Sequence, residues 1–464
     1  MNAPAVGDRD ALFGLLKEHA RPVPRYTSFP TVPFWDKEFG EADYVSALDD
    51  LGTQPDRPLS VYVHLPFCGK RCYYCGCNAM VTHRTEVVDD YLDHLAREVE
   101  GVTDRIGEGR TVTQMHWGGG TPNFLTDRQT VRLFEMLSRR FDFAHDAEIS
   151  IEMDPRVATS TQPPLLRRLG FNRLSMGVQD FDPKVQAAIG RIQPESETVS
   201  LLEGARAAGF ESVNFDLVYG LPYQTTESFA RTLNRVVELA PDRIATFSYA
   251  HLPEMRKIQR AVDASGMPEP REKLGLFLDT VDTFQEGGYQ WIGFDHFARP
   301  DDELAVAARE RRLLRNFMGY TTHAAPDQVA FGLSAIGCLA GRFVQNDTGL
   351  ARYGDALDDC HFPVVRGHRM SQDDEMRSLV IQHLLCNLEI REDLTETQFG
   401  GPVSSLLGDE LDGLEPFVAE GFLSRSDNGW QVSDVGRFFI RNIAASLDPY
   451  LKRSTQLPTF SSSV

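Results

Sequence analysis

VYVHLPFCGKRCYYCGCN, residues 61–78, joins a short β-type run to a loop that holds four of the chain's seven cysteines. The other three, Cys338, Cys360 and Cys386, are widely separated and odd in number, unlike a secreted disulfide framework, and read as buried or incidental thiols. Four close cysteines in a reducing compartment point to metal. Zinc modules pair two short Cys/His hairpins distant in sequence, and no second pair follows here, although His64 and His83 could complete an unusual site. The spacing C-x3-C-x2-C-x-C is tighter than that and suits an iron–sulfur cluster. Cys68, Cys72 and Cys75 can each take one iron of a 4Fe–4S cube and leave the fourth iron open to a substrate or cofactor, which points to catalysis rather than electron transfer alone. For Cys77 the spacing leaves two readings open: an unused neighbour or alternative ligand, or a group acting on substrate or on a radical.

Working outward, the 464 residues allow roughly two or three domains of about 150 residues, and 42% hydrophobic content supports a full core. No run of about 18 apolar residues occurs, and MNAPAVGDRDALFG has neither the basic start nor the apolar core of a signal peptide. The expectation is a cytoplasmic protein with no membrane span. A net charge of −20 excludes a protein held mainly by nucleic-acid phosphates, while leaving room for a local basic pocket.

The first 300 residues alternate β-rich runs with amphipathic stretches. The runs are VYVHL (61–65), TQMHW (113–117), EISIEM (148–153), NRLSMGV (172–178), SVNFDLVY (212–219), RIATFSYA (243–250) and YQWIGF (289–294); stretches such as DDYLDHLAREVEGV and TTESFARTLNRVVELA carry apolar residues at helical spacing. Strand, helix, strand at about thirty-residue intervals reads as right-handed βαβ units in a parallel sheet curling into a full or partial β/α barrel. Barrels keep their working residues at the C-terminal ends of strands, which is where the cysteine loop falls. The same rule singles out the HWGGGTP turn, Glu152 and Asp154, Gln179 and Asp180, Asp216, and Tyr249 with His251.

YVHLPFCGKRCYYCGCN, HWGGGTP, EISIEMDPR, FNRLSMGVQDF, VNFDLVYGLP, FSYAHLP, HFARPDDELA and GYTT together resemble the oxygen-independent coproporphyrinogen III oxidases, which are radical S-adenosylmethionine enzymes. The likeness runs from PRYTSFPT (24–31) to RFFIRNIAASLDPYL. It implies an α/β fold: a partial (β/α)6-type radical S-adenosylmethionine barrel with an N-terminal extension and a mainly α, winged-helix-like C-terminal domain. It also implies the reaction. The open iron binds S-adenosylmethionine, reductive cleavage gives a 5′-deoxyadenosyl radical, and hydrogen abstraction from a propionate leads to loss of carbon dioxide and an electron. Two propionates of coproporphyrinogen III become vinyl groups, giving protoporphyrinogen IX for haem. An electron donor, an electron acceptor and a monomeric state are implied as well.

By matching strings, Cys68, Cys72 and Cys75 are the expected cluster ligands, with Tyr74 beside them. Gly119, Gly120, Thr121, Glu152, Gln179, Arg191 and Asp216 match cofactor-contacting positions, and Ala250 and Ile336 look like apolar contacts to adenine. Tyr62, His64 and Cys77 match positions thought to act beyond the cluster, with Glu152 as a further catalytic candidate and Tyr62 also a cofactor contact. Some family structures hold a second S-adenosylmethionine, near positions that match Phe317 and Ile336. Met318 stands where some members carry glutamine, and a thioether cannot replace an amide donor, which argues for sequential exchange over two cofactors at once. Arg25, Lys70, Arg71 and Arg84 are the cations nearest the motifs and candidates for the four carboxylates of the substrate.

The expected domains are an N-terminal extension or lid (1–55), the catalytic barrel and its extension (56–365), a helical domain (366–455) with a hairpin turning at Asp427-Asn428-Gly429, and a disordered tail (456–464). Acidic residues such as Asp373, Asp374 and Glu375 argue against a phosphate-binding winged helix. The alternative from another functional class is a haem chaperone of the same superfamily branch. That group usually lacks the fourth cysteine and the PRYTSFPT string and carries an HN-x-x-YW-type string absent here.

Overall fold

The computed structural model describes residues 9–453 and Phe460; the remainder of the expected tail lies outside the described residues. The chain forms two compact units, each assembled from separated segments. The barrel unit comprises Asp36–Tyr289 and His323–Arg369. The helical unit comprises the described residues of Met1–Trp35, Gln290–Thr322 and Met370–Val464. Residues 36–55, read as extension, thus group with the barrel, and Gln290–Thr322, read as barrel, group with the C-terminal segment.

In the barrel unit the strands are β1 (Leu59–Leu65), β2 (Arg110–Gly119), β3 (Phe141–Met153), β4 (Arg173–Gln179), β5 (Ser212–Tyr219), β6 (Arg243–Ser248), β7 (Asp327–Phe331), β8 (Ile336–Leu339), β9 (Arg342–Asn346) and β10 (Val364–Arg369). They lie side by side in the order β10-β9-β8-β7-β1-β2-β3-β4-β5-β6. From β7 through β1 to β6 every pairing is parallel. From β7 to β10 they are antiparallel. Helices α1 (Thr85–Ile106), α2 (Asp127–Ser138), α3 (Glu195–Ala208), α4 (Thr226–Leu239), α5 (Pro270–Glu286) and α6 (Leu350–Asp358) belong to the same unit. Their starts are written locally: Thr126 caps α2 with Gln129 answering back, and Thr225 does the same with Ser228 on α4.

The two-residue period of the strands decides what each face carries. On β1, Leu59, Val61, Val63 and Leu65 are buried and alternate with Ser60, Tyr62 and His64. Cross-strand register aligns Tyr62 with His116, His116 with Ser150, and Glu152 with Ser175. One face of the sheet is therefore a row of polar side chains, and the other holds residues such as Trp117, Ile151 and Met176, all nearly inaccessible. A closed eight-stranded barrel fills its interior with branched apolar chains; this one lines it with groups able to bind.

In the helical unit, Gln372–Asn387 is a helix, Glu389–Arg391, Leu423–Ser426 and Gly429–Val432 form a small antiparallel sheet, and Ile440–Ser446 is a later helix. YQWIGF contributes Gln290–Ile292, paired antiparallel with His296–Ala298 rather than acting as a further parallel strand. PRYTSFPT is built into this unit's core: Tyr26 and Phe29 are fully buried, and Tyr26 donates to Asp448 at 3.0 Å. Cys386 is buried, whereas Cys360 is exposed. No helix among the described residues is long and apolar enough to cross a membrane.

Candidate active site

Tyr62 and His64 leave β1 on the polar face. The Tyr62 ring stacks on His116, with centroids 6.0 Å apart and planes 15° from parallel. His64 Nε2 lies 3.0 Å from the Asn78 carbonyl, which can only accept, so that nitrogen carries the proton. Nδ1 is then the acceptor for the Tyr62 hydroxyl, 3.0 Å away. Burial holds the imidazole below its ordinary pKa, and burial with the Glu152 charge holds the phenol well above its own. The pair is a neutral imidazole fed by a phenol. Both ring nitrogens of His64 are thus engaged in hydrogen bonds.

After β1 the cysteine loop is clamped at both ends. Phe67 and Cys68 pair with Met80 and Val81, and Tyr73 N–H donates to Ile189 O at 2.9 Å. All four cysteines are free thiols. The Thr121 hydroxyl lies 3.3 Å from Cys68 Sγ. Cys75 is lowered to about 6, first by a hydrogen bond from Cys77, with burial opposing and Arg71 assisting. Cys77, at the exposed end of the loop, is pushed up chiefly by that same bond. Tyr74 packs with Tyr73 against Val185, Ile189 and Tyr249. Burial raises its phenol, with Arg191 pulling the other way.

Cys72 meets two guanidinium groups. Arg156 Nη2 is 3.6 Å and Arg191 Nη1 3.7 Å from its sulfur. Both also hold Asp154, at 2.6 and 3.0 Å. Burial raises the Asp154 carboxyl, but the two guanidinium groups outweigh it and the net shift is downward. Arg191 Nη2 donates in addition to Gly177 O at 2.7 Å.

Glu152 accepts from Gly119 N–H at 3.1 Å and lies 3.5 Å from His116 Nε2. Burial raises its carboxyl; the bonds from His116 and Gly119 prevail and hold it ionised. Its side chain remains 44% exposed. Gly119 has φ +119°, and a Cβ there would sit 2.7 Å from the His64 ring; at Gly120 it would lie 2.8 Å from the Phe67 carbonyl. Only glycine lets this turn pass so close to the loop. Asp216 accepts from Ser175 and Asn214 at 2.9 and 2.8 Å. Gln179 is buried with φ +67°. Asp180, by contrast, is consumed by Gln224 and Thr232 and serves the loop itself. Ala250 is exposed and Ile336 half-buried.

Among the candidate cations, Lys70 and Arg84 are exposed, and Arg71 donates to Cys77 O at 3.1 Å, closing the loop on itself. Arg25 belongs to the helical unit, where it lies 3.4 Å from Asp295. Phe317 is also in that unit, edge-on to Trp35 at 6.2 Å. Sequence reasoning singled out the HWGGGTP turn without giving His116 a role, and gave none to Arg156. The signal for Arg156 was the Asp-Pro-Arg turn ending β3, where Asp154 also accepts from Arg156 N–H at 3.0 Å.

These residues fit an iron–sulfur cluster and a zwitterionic cofactor. Three thiols on one loop, two guanidinium groups turned to a ligand sulfur, a glycine turn with no room for a Cβ and an ionised carboxylate beside it are the required donors and charges. The fold and this loop define a radical S-adenosylmethionine enzyme, and residues 62–236 match the radical SAM superfamily model. Residues 370–439 match the HemN C-terminal domain. The chain is 44% identical over 447 residues to the oxygen-independent coproporphyrinogen III oxidase of Salmonella typhimurium, covering 96% of this chain and 97% of that one. It is 41% identical over 454 residues to the enzyme of that name from Synechocystis, covering 97% of each. The solved Escherichia coli coproporphyrinogen III oxidase, described as a radical SAM enzyme, superposes with a TM-score of 0.89 at 44% identity, covering 94% of this chain and 98% of that one. The chain belongs to the family of oxygen-independent coproporphyrinogen III oxidases.

Proposed function

We infer that the chain converts two propionate side chains of coproporphyrinogen III to vinyl groups, giving protoporphyrinogen IX. The observation that carries this is the Cys68-Cys72-Cys75 loop, set against Thr121 and the Arg156/Arg191 pair, in a chain that matches an oxidase over 96% of its length. When bound, the 4Fe–4S cluster and S-adenosylmethionine supply one electron and a carbon radical that takes hydrogen from the propionate; carbon dioxide leaves and an acceptor takes the remaining electron.

The protein's part is to bind, orient and hold protons. Cys68, Cys72 and Cys75 would ligate the irons. The acceptor oxygens of Glu152 suit an ammonium group, those of Asp216 ribose hydroxyls, and Arg191 a carboxylate through its fork of donors. Gly119, Gly120 and Thr121 bring backbone and hydroxyl to the same place, and Gln179, Ala250 and Ile336 complete the cofactor's surroundings. Tyr62 and His64, both neutral, keep a proton at the Tyr62 oxygen beside the loop, and Cys77 retains its own. Lys70, Arg71, Arg84 and Arg25 are the cations assigned to substrate carboxylates. Phe317 with Met318 suits an exchanging second cofactor rather than one held by an amide.

The test is anaerobic: reconstitute the cluster, reduce it, add S-adenosylmethionine and coproporphyrinogen III, and follow 5′-deoxyadenosine with protoporphyrinogen. Both should form together and vanish in Cys72→Ala. Cofactor cleavage without protoporphyrinogen would move the substrate elsewhere, and tight haem binding without cleavage would favour the chaperone.

A further inference from the structure

The helical unit gathers cations around one buried carboxylate. Asp295 is 5% exposed. His296 donates to it from Nδ1 at 2.6 Å, and Arg25 Nη2 lies 3.4 Å from its Oδ2. Burial raises the Asp295 carboxyl, but His296, Arg25 and Arg315 outweigh it and hold it at about 2. Arg315 stands on the hairpin that pairs Leu314–Asn316 with Gly319–Thr321. Its guanidinium lies over the rings of Phe294 and Tyr320, 4.9 and 5.4 Å from their centroids. It also donates to the Arg25 carbonyl at 3.0 Å, which ties the hairpin to the Arg25 backbone.

These charges do not cancel. The ionised Asp295 answers one guanidinium, and Arg315 has no carboxylate within hydrogen-bonding distance among the described residues; its bonds go to the carbonyls of Arg25 and Tyr26. Residues 19–35 and 311–322, which carry the two arginines, contain no aspartate or glutamate. The acidic residues that follow His296 are engaged elsewhere: Asp301 with Arg299 at 3.7 Å, Asp302 with Leu304 N–H at 2.8 Å, and Glu303 with the Thr322 hydroxyl at 3.4 Å. Arg311 and Arg312 are paired with Glu389 and Glu310 and add nothing to the excess. Arg25 holds Asp295 through one long N–H, not through the forked pair a guanidinium can offer, and its side chain is 37% exposed. Donors and charge are left over for a further anion.

We propose that Arg25 and Arg315 form a carboxylate-binding subsite in the helical unit, and that it holds a propionate which the substrate keeps, not one that reacts. The proposal rests on the reading of the chain as an oxidase of coproporphyrinogen III, a molecule that brings four carboxylates and leaves with two. A guanidinium bond stabilises the carboxylate anion, and carbon dioxide departs only as that charge is given up. A clamp of this kind therefore suits a retained group and would slow a reacting one. S-adenosylmethionine also carries a carboxylate, but its ammonium and sulfonium make it a net cation, which a site of excess positive charge disfavours. An anchor made equally in the ground and transition states acts on KM and leaves kcat alone.

The experiment uses the full-chain holoenzyme, reconstituted without oxygen, as wild type, Arg25→Gln, Arg25→Lys and Arg315→Gln, with Arg312→Gln as a control for net charge. Affinity for coproporphyrin III, the stable oxidised form of the substrate, is read by fluorescence quenching. Affinity for S-adenosylmethionine is read by calorimetry, and KM and kcat by protoporphyrinogen formation. Arg25→Gln should weaken coproporphyrin III and raise KM by about ten- to a hundredfold, with kcat, iron content and S-adenosylmethionine affinity unchanged. Arg25→Lys should fall in between, and Arg312→Gln should match wild type. Arg315→Gln should act as Arg25→Gln does; where it fails to fold, the partly exposed Arg25 still decides the question. Unaltered porphyrin affinity in Arg25→Gln, a fall in kcat at constant KM, or weakened S-adenosylmethionine with porphyrin binding intact would overturn the proposal. A wild type that turns over coproporphyrinogen III beside an Arg25→Gln variant of equal KM would sink this subsite alone. A wild type that forms no protoporphyrinogen would sink the assigned reaction and the subsite with it.

Discussion

Arg156 lies 3.6 Å from the sulfur of Cys72 while its guanidinium grips Asp154 at 2.6 Å. One side chain thus ties the metal-binding loop to the end of β3. N–H donors to a cluster sulfur stabilise the more negative, reduced state. Arg156→Gln should keep its iron, show a more negative cluster midpoint potential and turn over about tenfold more slowly, with Arg156→Lys in between. A spectroscopically monitored redox titration decides it; an unchanged potential would reduce Arg156 to a brace for Asp154.

The tautomer of His64 makes a second test. Burial lowers its pKa, so the unfolded chain takes up the proton first. Stability owed to this residue is complete above the unfolded value of about 6.5 and is lost as pH falls from there toward the lowered folded value. Nitrogen-resolved NMR of labelled histidine should find His64 neutral, with hydrogen on Nε2, above about pH 6.5. Tyr62→Phe removes the donor to Nδ1 and should cost about 1–3 kcal/mol by leaving a buried acceptor unpaired.

Glu98 on α1 gives the opposite sign. It is fully buried, and Oε2 accepts from Tyr353 and Gly332 at 2.6 and 2.8 Å, Oε1 from Asn346 at 2.6 Å. Burial nevertheless raises it from 4.5 to about 7. The folded protein holds the proton more tightly, so the stabilisation is complete below pH 4.5 and disappears as pH rises to about 7, for a total of about 3 kcal/mol. Melting temperatures across pH 4.5–7.5 should decline more steeply for wild type than for Glu98→Gln; parallel curves would refute the assignment.

Gly119 and Gly275 form a matched pair. Gly119→Ala forces a side chain into φ +119° with its Cβ 2.7 Å from the His64 ring. It should cost at least about 1–3 kcal/mol and lower activity about a hundredfold. Gly275→Ala on α5 meets nothing within 4 Å and should leave activity unchanged while stabilising by about 0.5–1 kcal/mol. Denaturant melts and assays of both variants distinguish backbone demand from general sensitivity to substitution.

The strand pattern of the barrel could be read because each run alternates, and the apolar half of the alternation is unmistakable in VYVHL and EISIEM. Glu152 stood out by its place at a strand end and Tyr62 and His64 by the family likeness; that the three share one face emerged only from the cross-strand register. RIATFSYA was read two residues too long, since the strand stops at Ser248. YQWIGF looked like the next repeat, but pairing direction is fixed by a partner strand, here only a few residues downstream in HFA. Arg156 and His116 escaped because a charged residue on a turn and a histidine beside a tryptophan look like surface and core until a sulfur and a carboxylate are found beside them. The discontinuous units were equally hidden, because composition varies along the chain whereas contacts do not follow it.

The clasp around Glu98 also limits how the chain can change in length. Gly332 ends the β7 rim, Asn346 closes β9 and Tyr353 lies one turn into α6, and all reach the same carboxylate. Asn346 also donates to Gly332 O at 2.9 Å. Beside them Tyr91 binds the His64 carbonyl and the Leu333 N–H, at 2.7 and 2.9 Å. An inserted or deleted residue between 332 and 353 would break several of these bonds at once and release the backbone of His64. Homologues should therefore vary in length elsewhere, and loop grafting or domain insertion in this protein should avoid that stretch.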